Sequence, residues 1–140
     1  MFDVCEKGYG TMYISVVEDN SEVLAMVKTA LTLRGHIVET YSDSPSFLST
    51  LQKAERTPPY DLVIVDLFLG RQSGIDVVEA LRVVQPQMIP AILISAAEEN
   101  TLAPIRKRYP NLPILQKPFK IHALASLIDE VTSSLAKKMG

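Results

Sequence analysis

The chain has 140 residues, 47% hydrophobic and 21% charged, enough for one domain that buries its own core. A net charge of -2 argues against nucleic acid or an anionic membrane as a direct partner, and the single cysteine, Cys5, excludes an intramolecular disulfide. No stretch approaches the roughly 18 uninterrupted apolar residues of a membrane span, and the first eleven residues carry no signal-peptide core, so the default compartment is the cytoplasm.

Residues 1–11 read as an N-terminal extension and 12–140 as one domain. Tyr13 to Val17 reads as a strand that ends in Glu18, Asp19 and Asn20. The following segment places Val23, Leu24, Val27, Ala30 and Leu31 at helical spacing, with Asn20 or Ser21 as cap and Gly35 as stop. His36 to Tyr41 is a second strand. Ser44-Pro45 opens a short helix carried by Phe47, Leu48 and Leu51, which ERTPPY ends.

Leu62 to Val65 is apolar on both faces, as a central strand of a parallel sheet must be, and it runs into Asp66. The loop LGRQSG leads to a helix with Ile75, Val78 and Leu81 inward and Asp76, Glu79 and Arg82 outward. Ala91 to Ile94 is the fourth strand and ends at Ser95. A helix within Glu98 to Tyr109 is the weakest element, because Pro104 lies inside it. Its basic run, Arg106 to Arg108, reads as a solvated face. Leu112 to Gln116 is the fifth strand, ending at Lys117-Pro118. A last amphipathic helix aligns Ile121, Leu124, Ile128, Val131 and Leu135, with Lys137 and Lys138 at its negative end.

Five strands alternating with five helices predict a doubly wound α/β fold, whose ligands bind at the carboxyl ends of the strands. Glu18, Asp19, Asp66, Ser95 and Lys117 all fall at those ends. Three carboxylates in one crevice repel one another, and Lys117 offsets one charge; a divalent ion suits the remainder, and an all-oxygen set suits Mg2+. An aspartate there is also a competent nucleophile toward phosphorus. Asp61, about 16 Å from Asp66 at strand rise, is a strand-edge residue outside this group. His36 and His122 have no partners at metal or triad spacing and read as structural or surface residues.

The motifs VVEDN, LVIVDLFLGRQSG, AILISAA and LPILQKPF, in that order over about residues 12 to 136, resemble the receiver domains of two-component response regulators, the chemotaxis-regulator-like superfamily. The resemblance implies a flavodoxin-like five-stranded parallel sheet of order 2-1-3-4-5 with helices on both faces. It implies that Asp66 is the phosphoacceptor and that Glu18, Asp19, Asp66 and the backbone carbonyl of Phe68 hold Mg2+. It makes Ser95 the switch hydroxyl and Lys117 the phosphoryl-contacting lysine, with a Lys117-Pro118 bond that is often cis.

The implied partners are a sensor histidine kinase or histidine phosphotransfer protein upstream and a downstream protein or effector domain. The domain would be a switch that catalyses only its own phosphoryl transfer and hydrolysis. Relatives commonly dimerise through the fourth and fifth elements, so a homodimer is among the expected states. Two positions depart from the pattern: Ile114 stands where an aromatic switch residue is usual, and Gly70 where proline is common. Two other readings compete. One is a degenerate receiver kept as a phosphorylation-independent interaction module. The other is a haloacid-dehalogenase-type phosphatase, which expects a second aspartate where this chain has Phe68.

Overall fold

A computed structural model of the chain describes residues 10–53, 60–84 and 89–139, apart from the side chains of 84 and 134–139. Most of the N-terminal extension, including Cys5, and the side chains of Leu135, Lys137 and Lys138 therefore lie outside the described residues. So does the ERTPP stretch of the helix-ending segment. The elements run β1 (Tyr13–Val17), α1 (Ser21–Leu33), β2 (Ile37–Tyr41), α2 (Ser44–Lys53), β3 (Leu62–Asp66), β4 (Phe68–Leu69), β5 (Gln72–Ser73), α3 (Gly74–Val84), β6 (Ala91–Ser95), α4 (Glu99–Arg108), β7 (Ile114–Gln116) and α5 (Ile121–Met139).

The five main strands form one parallel sheet of order β2-β1-β3-β6-β7. With the β4–β5 hairpin set apart, this is the expected 2-1-3-4-5 arrangement. Side-chain alternation along each strand builds two cores from one sheet. Ile14, Val16, Ile64 and Ile94 pack with Val27 and Leu31 of α1 and Leu124 and Ile128 of α5. Val17, Val63, Val65 and Leu93 face the opposite side, against α2, α3 and α4. β3 is buried along its whole length because it lies between β1 and β6 and under helices on both faces.

Local signals explain where the helices begin. Asn20 caps α1, its Oδ1 accepting the N–H groups of Glu22 and Val23 at 3.0 Å each. Gly35, at φ 96°, takes the left-handed turn after that helix. At α2 the capping side chain is Asp43, whose Oδ1 accepts the Ser46 N–H at 2.7 Å, one residue before the Ser44-Pro45 signal.

Three local features differ from the sequence reading, and the helix expected across Pro104 is present. Phe68–Leu69 and Gln72–Ser73 form a two-stranded antiparallel hairpin where a plain loop was expected, with Gly70 at φ 63° in its turn. The α4 helix continues through Pro104. That residue is exposed, so the carbonyl it leaves unpaired can face water, while Leu102 and Ile105 hold the other side to the core. β7 has only three residues, because Pro113 has no N–H to give a ladder and contributes its carbonyl alone, to Leu93 N at 2.9 Å. Glu79 is half-buried rather than outward: its carboxylate accepts the Tyr109 hydroxyl, and Arg82 and Arg108 stand over the Tyr109 ring at 4.9 and 5.4 Å. Arg106 of the basic run pairs with Glu99 at 2.9 Å on the exposed face.

Candidate functional site

The sheet brings four strand ends to one edge. The backbone N–H of Glu18 donates to Tyr41 O at 2.9 Å, continuing the β1–β2 ladder one residue past β1 and fixing where the acidic pair begins. The next N–H after Asp66, that of Leu67, donates to Ile94 O at 2.8 Å, and Lys117 N donates to Ser95 O at 2.7 Å. Side chains immediately beyond the strands are thus held by ladder hydrogen bonds rather than by loop packing.

Glu18, Asp19 and Asp66 each offer a carboxylate oxygen within 4.8 Å of the others. Glu18 is fully buried, Asp66 is buried, and Asp19 is exposed at the mouth. Lys117 Nζ lies 2.8 Å from Asp66 Oδ2 and 2.8 Å from Glu18 Oε1. Glu18 Oε1 is buried, and the Lys117 ammonium beside it offsets its charge. Three backbone N–H groups orient three of the four remaining oxygens: Asn20 to Glu18 Oε2 at 3.0 Å, Phe68 to Asp66 Oδ1 at 3.2 Å, and Gly70 to Asp19 Oδ2 at 3.1 Å.

The electrostatics follow from this packing. Burial pushes the Glu18 carboxyl up to about 7; the Lys117 ammonium and the Asn20 N–H oppose the rise, and the Asp66 carboxylate adds to it. Burial works against the Lys117 charge, but Asp66 and Glu18 outweigh it and raise the lysine above its ordinary value. Lys117 is therefore a fixed cation. When all three carboxylates ionise, two negative charges remain in excess. A hard divalent cation fits that set, because the donors are all oxygen and their charge exceeds that of Lys117.

Ser95 is fully buried, with its Oγ accepting the Ala97 N–H at 3.0 Å. Its hydroxyl is thus held by its own loop. The Lys117-Pro118 bond is cis. Ile114 is half-buried against the α3–α4 side of the core, and Phe68 leaves its ring exposed beside Asp66. Asp61 serves the opposite edge, accepting the Tyr13 N–H at 2.9 Å, and His36 Nδ1 accepts the Met12 N–H at 3.2 Å. His122 is exposed.

One residue of the site has no side chain to announce it. A Cβ on Gly74 would lie 2.1 Å from the carbonyl oxygen of Asp66, and Gly74 N donates to Leu67 O at 2.7 Å. The first turn of α3 is seated directly on the phosphoacceptor-candidate backbone. Ser73 caps this helix, its Oγ accepting the Ile75 N–H at 3.1 Å, and the glycine directly after that cap is the signal in the sequence.

The response regulator receiver domain model matches residues 14–129, and the chain belongs to that family. Alkaline phosphatase synthesis transcriptional regulatory protein PhoP of Bacillus subtilis (strain 168) is 34% identical over 87 residues, covering 62% of this chain and 34% of that protein. Transcriptional regulatory protein PrrA of Mycobacterium leprae (strain TN) is 29% identical over 135 residues, covering 95% of this chain and 54% of that protein. The chain thus spans about a third to a half of the length of these regulators. A CheY-like response regulator receiver domain protein from Methanospirillum hungatei JF-1 superposes with a TM-score of 0.78 at 18% identity, covering 92% of this chain and 99% of that one, which shows the shared fold. Membership makes the chain a two-component signalling module and favours the receiver reading over the phosphatase and the degenerate module. Receiver domains bind Mg2+ at an acidic pocket, and Glu18, Asp19 and Asp66 form an acidic cluster at the corresponding edge. No helix among the described residues is long and apolar enough to cross a membrane.

Proposed function

We propose that Asp66 accepts a phosphoryl group from a phosphohistidine of a sensor histidine kinase or phosphotransfer protein. The observation that carries this is the Lys117 ammonium, 2.8 Å from both Asp66 and Glu18 and seated beside the acidic cluster. An Asp66 carboxylate oxygen attacks phosphorus, the phosphorus–nitrogen bond breaks, the histidine leaves with its electron pair, and an acyl phosphate forms. Lys117, already charged and only partly exposed, is placed to follow the growing negative charge onto the phosphoryl oxygens.

Glu18, Asp19, Asp66 and the Phe68 carbonyl would hold Mg2+, which would supply positive charge to offset the incoming phosphoryl group. The Ser95 hydroxyl, released from Ala97 N, would donate to a phosphoryl oxygen. Hydrolysis of the acyl phosphate, catalysed by the same residues, resets the switch. The output passes to a downstream protein or to an effector domain, as the names of the transcriptional regulators similar to this chain suggest.

The test is labelling by acetyl phosphate with Mg2+. The wild-type chain takes up about one phosphoryl group per molecule and Asp66→Asn none, read by intact mass. Stoichiometric, Mg2+-dependent labelling of Asp66→Asn would sink the assignment.

A further inference from the structure

The switch loop between β6 and α4 is tied at both sides of one residue. The Ala97 N–H is held by Ser95 Oγ at 3.0 Å, and the Ala97 carbonyl accepts Gln116 Nε2 at 3.1 Å. Gln116 stands opposite Ser95 in the β6–β7 register, and Lys117 N donates to Ser95 O at 2.7 Å. Three hydrogen bonds therefore close a ring through Ser95, Ala97 and the Gln116–Lys117 pair, at the very end of β7. Ile114 lies two residues earlier, on the same face as Gln116, and its aliphatic side chain can make no polar contact to the loop.

Among the described residues the loop has no side-chain anchor at its helix end. Glu98, the N-cap of α4, makes no side-chain capping bond, while the far end of α4 is pinned through the Tyr109 hydroxyl on Glu79 and the Arg82 and Arg108 cations over the ring. α4 is thus tied at its far end through Tyr109 and, among the polar contacts of the described residues, at its start through the Ala97 bonds alone.

We infer that Gln116 is a positioning residue for the switch: its carboxamide latches Ala97 and holds the Ser95 loop in the unphosphorylated arrangement. This rests on the phosphoacceptor reading above. On this reading Ser95 turns toward the phosphoryl group, and its Oγ gives up the Ala97 N–H as it turns. That N–H then needs a new partner, so the loop must shift, and the Gln116 bond opposes the shift. The state that binds a phosphoryl group is reached at the cost of this bond, and removing the latch makes it easier to reach.

The experiment measures the affinity of beryllofluoride with Mg2+ for the wild-type chain, Gln116→Ala and Gln116→Leu, together with amide exchange at Ala97 and Glu98 without the ligand. Leucine keeps the packing of the side chain and removes its donors. Both variants are expected to bind beryllofluoride roughly fivefold more tightly, the worth of one hydrogen bond. Both should also exchange the Ala97 amide faster, with little change in Tm. Equal affinity in all three proteins, or wild-type exchange at Ala97 in the variants, overturns the latch. Failure of the wild-type chain itself to bind beryllofluoride overturns the phosphoacceptor reading and the switch role with it, a result separable from the others because the variants are then not needed.

Discussion

Gly74→Ala tests how closely the site depends on the backbone of α3. The new Cβ would meet Asp66 O at 2.1 Å, Asp66 C at 2.9 Å and Leu67 Cα at 3.2 Å. Relaxed carbon contacts begin near 3.5 Å, so the start of α3 and the end of β3 must part by more than about 1 Å. The obstacle is backbone on both sides and cannot be relieved by a rotamer change. Overpacking of this kind costs about 1–3 kcal/mol, and losing the Gly74–Leu67 hydrogen bond adds about 1 kcal/mol, for a total of roughly 2–4 kcal/mol. In a chain of this size that lowers Tm by on the order of 10 °C. The displacement also falls on Asp66 itself, so acetyl phosphate labelling should slow by on the order of 10- to 100-fold. Urea or thermal unfolding by circular dichroism gives the first quantity and a labelling time course the second. Gly70→Ala is the control: nothing lies within 4 Å of its Cβ, and its φ of 63° alone predicts a loss of about 1 kcal/mol. A Gly74→Ala protein as stable as wild type within about 0.5 kcal/mol, and labelled at the wild-type rate, would refute the reasoning.

Two further predictions concern charge. Lys117→Met leaves Glu18 buried without its cation and should cost about 2–3 kcal/mol at pH 8, less than for a fully buried pair because the Lys117 side chain is 17% exposed. Burial already raises the folded Glu18 carboxyl above its ordinary 4.5, and losing Lys117 raises it further. The stability tied to its protonated form is present at low pH and lost as pH rises through the folded value, so the deficit against wild type should shrink from pH 8 to pH 6; an equal deficit at both would contradict this. For His36, burial and then the Arg34 charge lower the imidazole below 6.5, against the pull of Asp129. Its neutral form accepts the Met12 N–H, so this stability is full above 6.5 and lost as pH falls through the lower folded value. His36→Asn keeps an acceptor that does not titrate, and the gap in urea midpoint between it and wild type should change in its favour between pH 7 and pH 5; a constant gap would count against the assignment.

The sequence by itself determined the fold class and grouped the candidate site residues at one sheet edge. Alternation between strand and helix periods is a local property, and a polar residue ending an apolar strand marks the same sheet edge each time, so Glu18, Asp19, Asp66, Ser95 and Lys117 could be grouped before any coordinate was known. Local chemistry also placed the Asn20 cap and the Gly35 stop. Tertiary structure decided what no window of sequence contains. Pro104 stays within α4 because Leu102 and Ile105 anchor the opposite face, which outweighs one lost hydrogen bond. Glu79, polar and at an outward position, turns to Tyr109 thirty residues away. Gly74 matters through a backbone that approaches it from β3, and Gln116 through a carbonyl on the neighbouring loop. The distinction is physical: periodicity and capping are written into neighbouring residues, whereas close approach and hydrogen bonds between distant segments exist only once the sheet has brought those segments together.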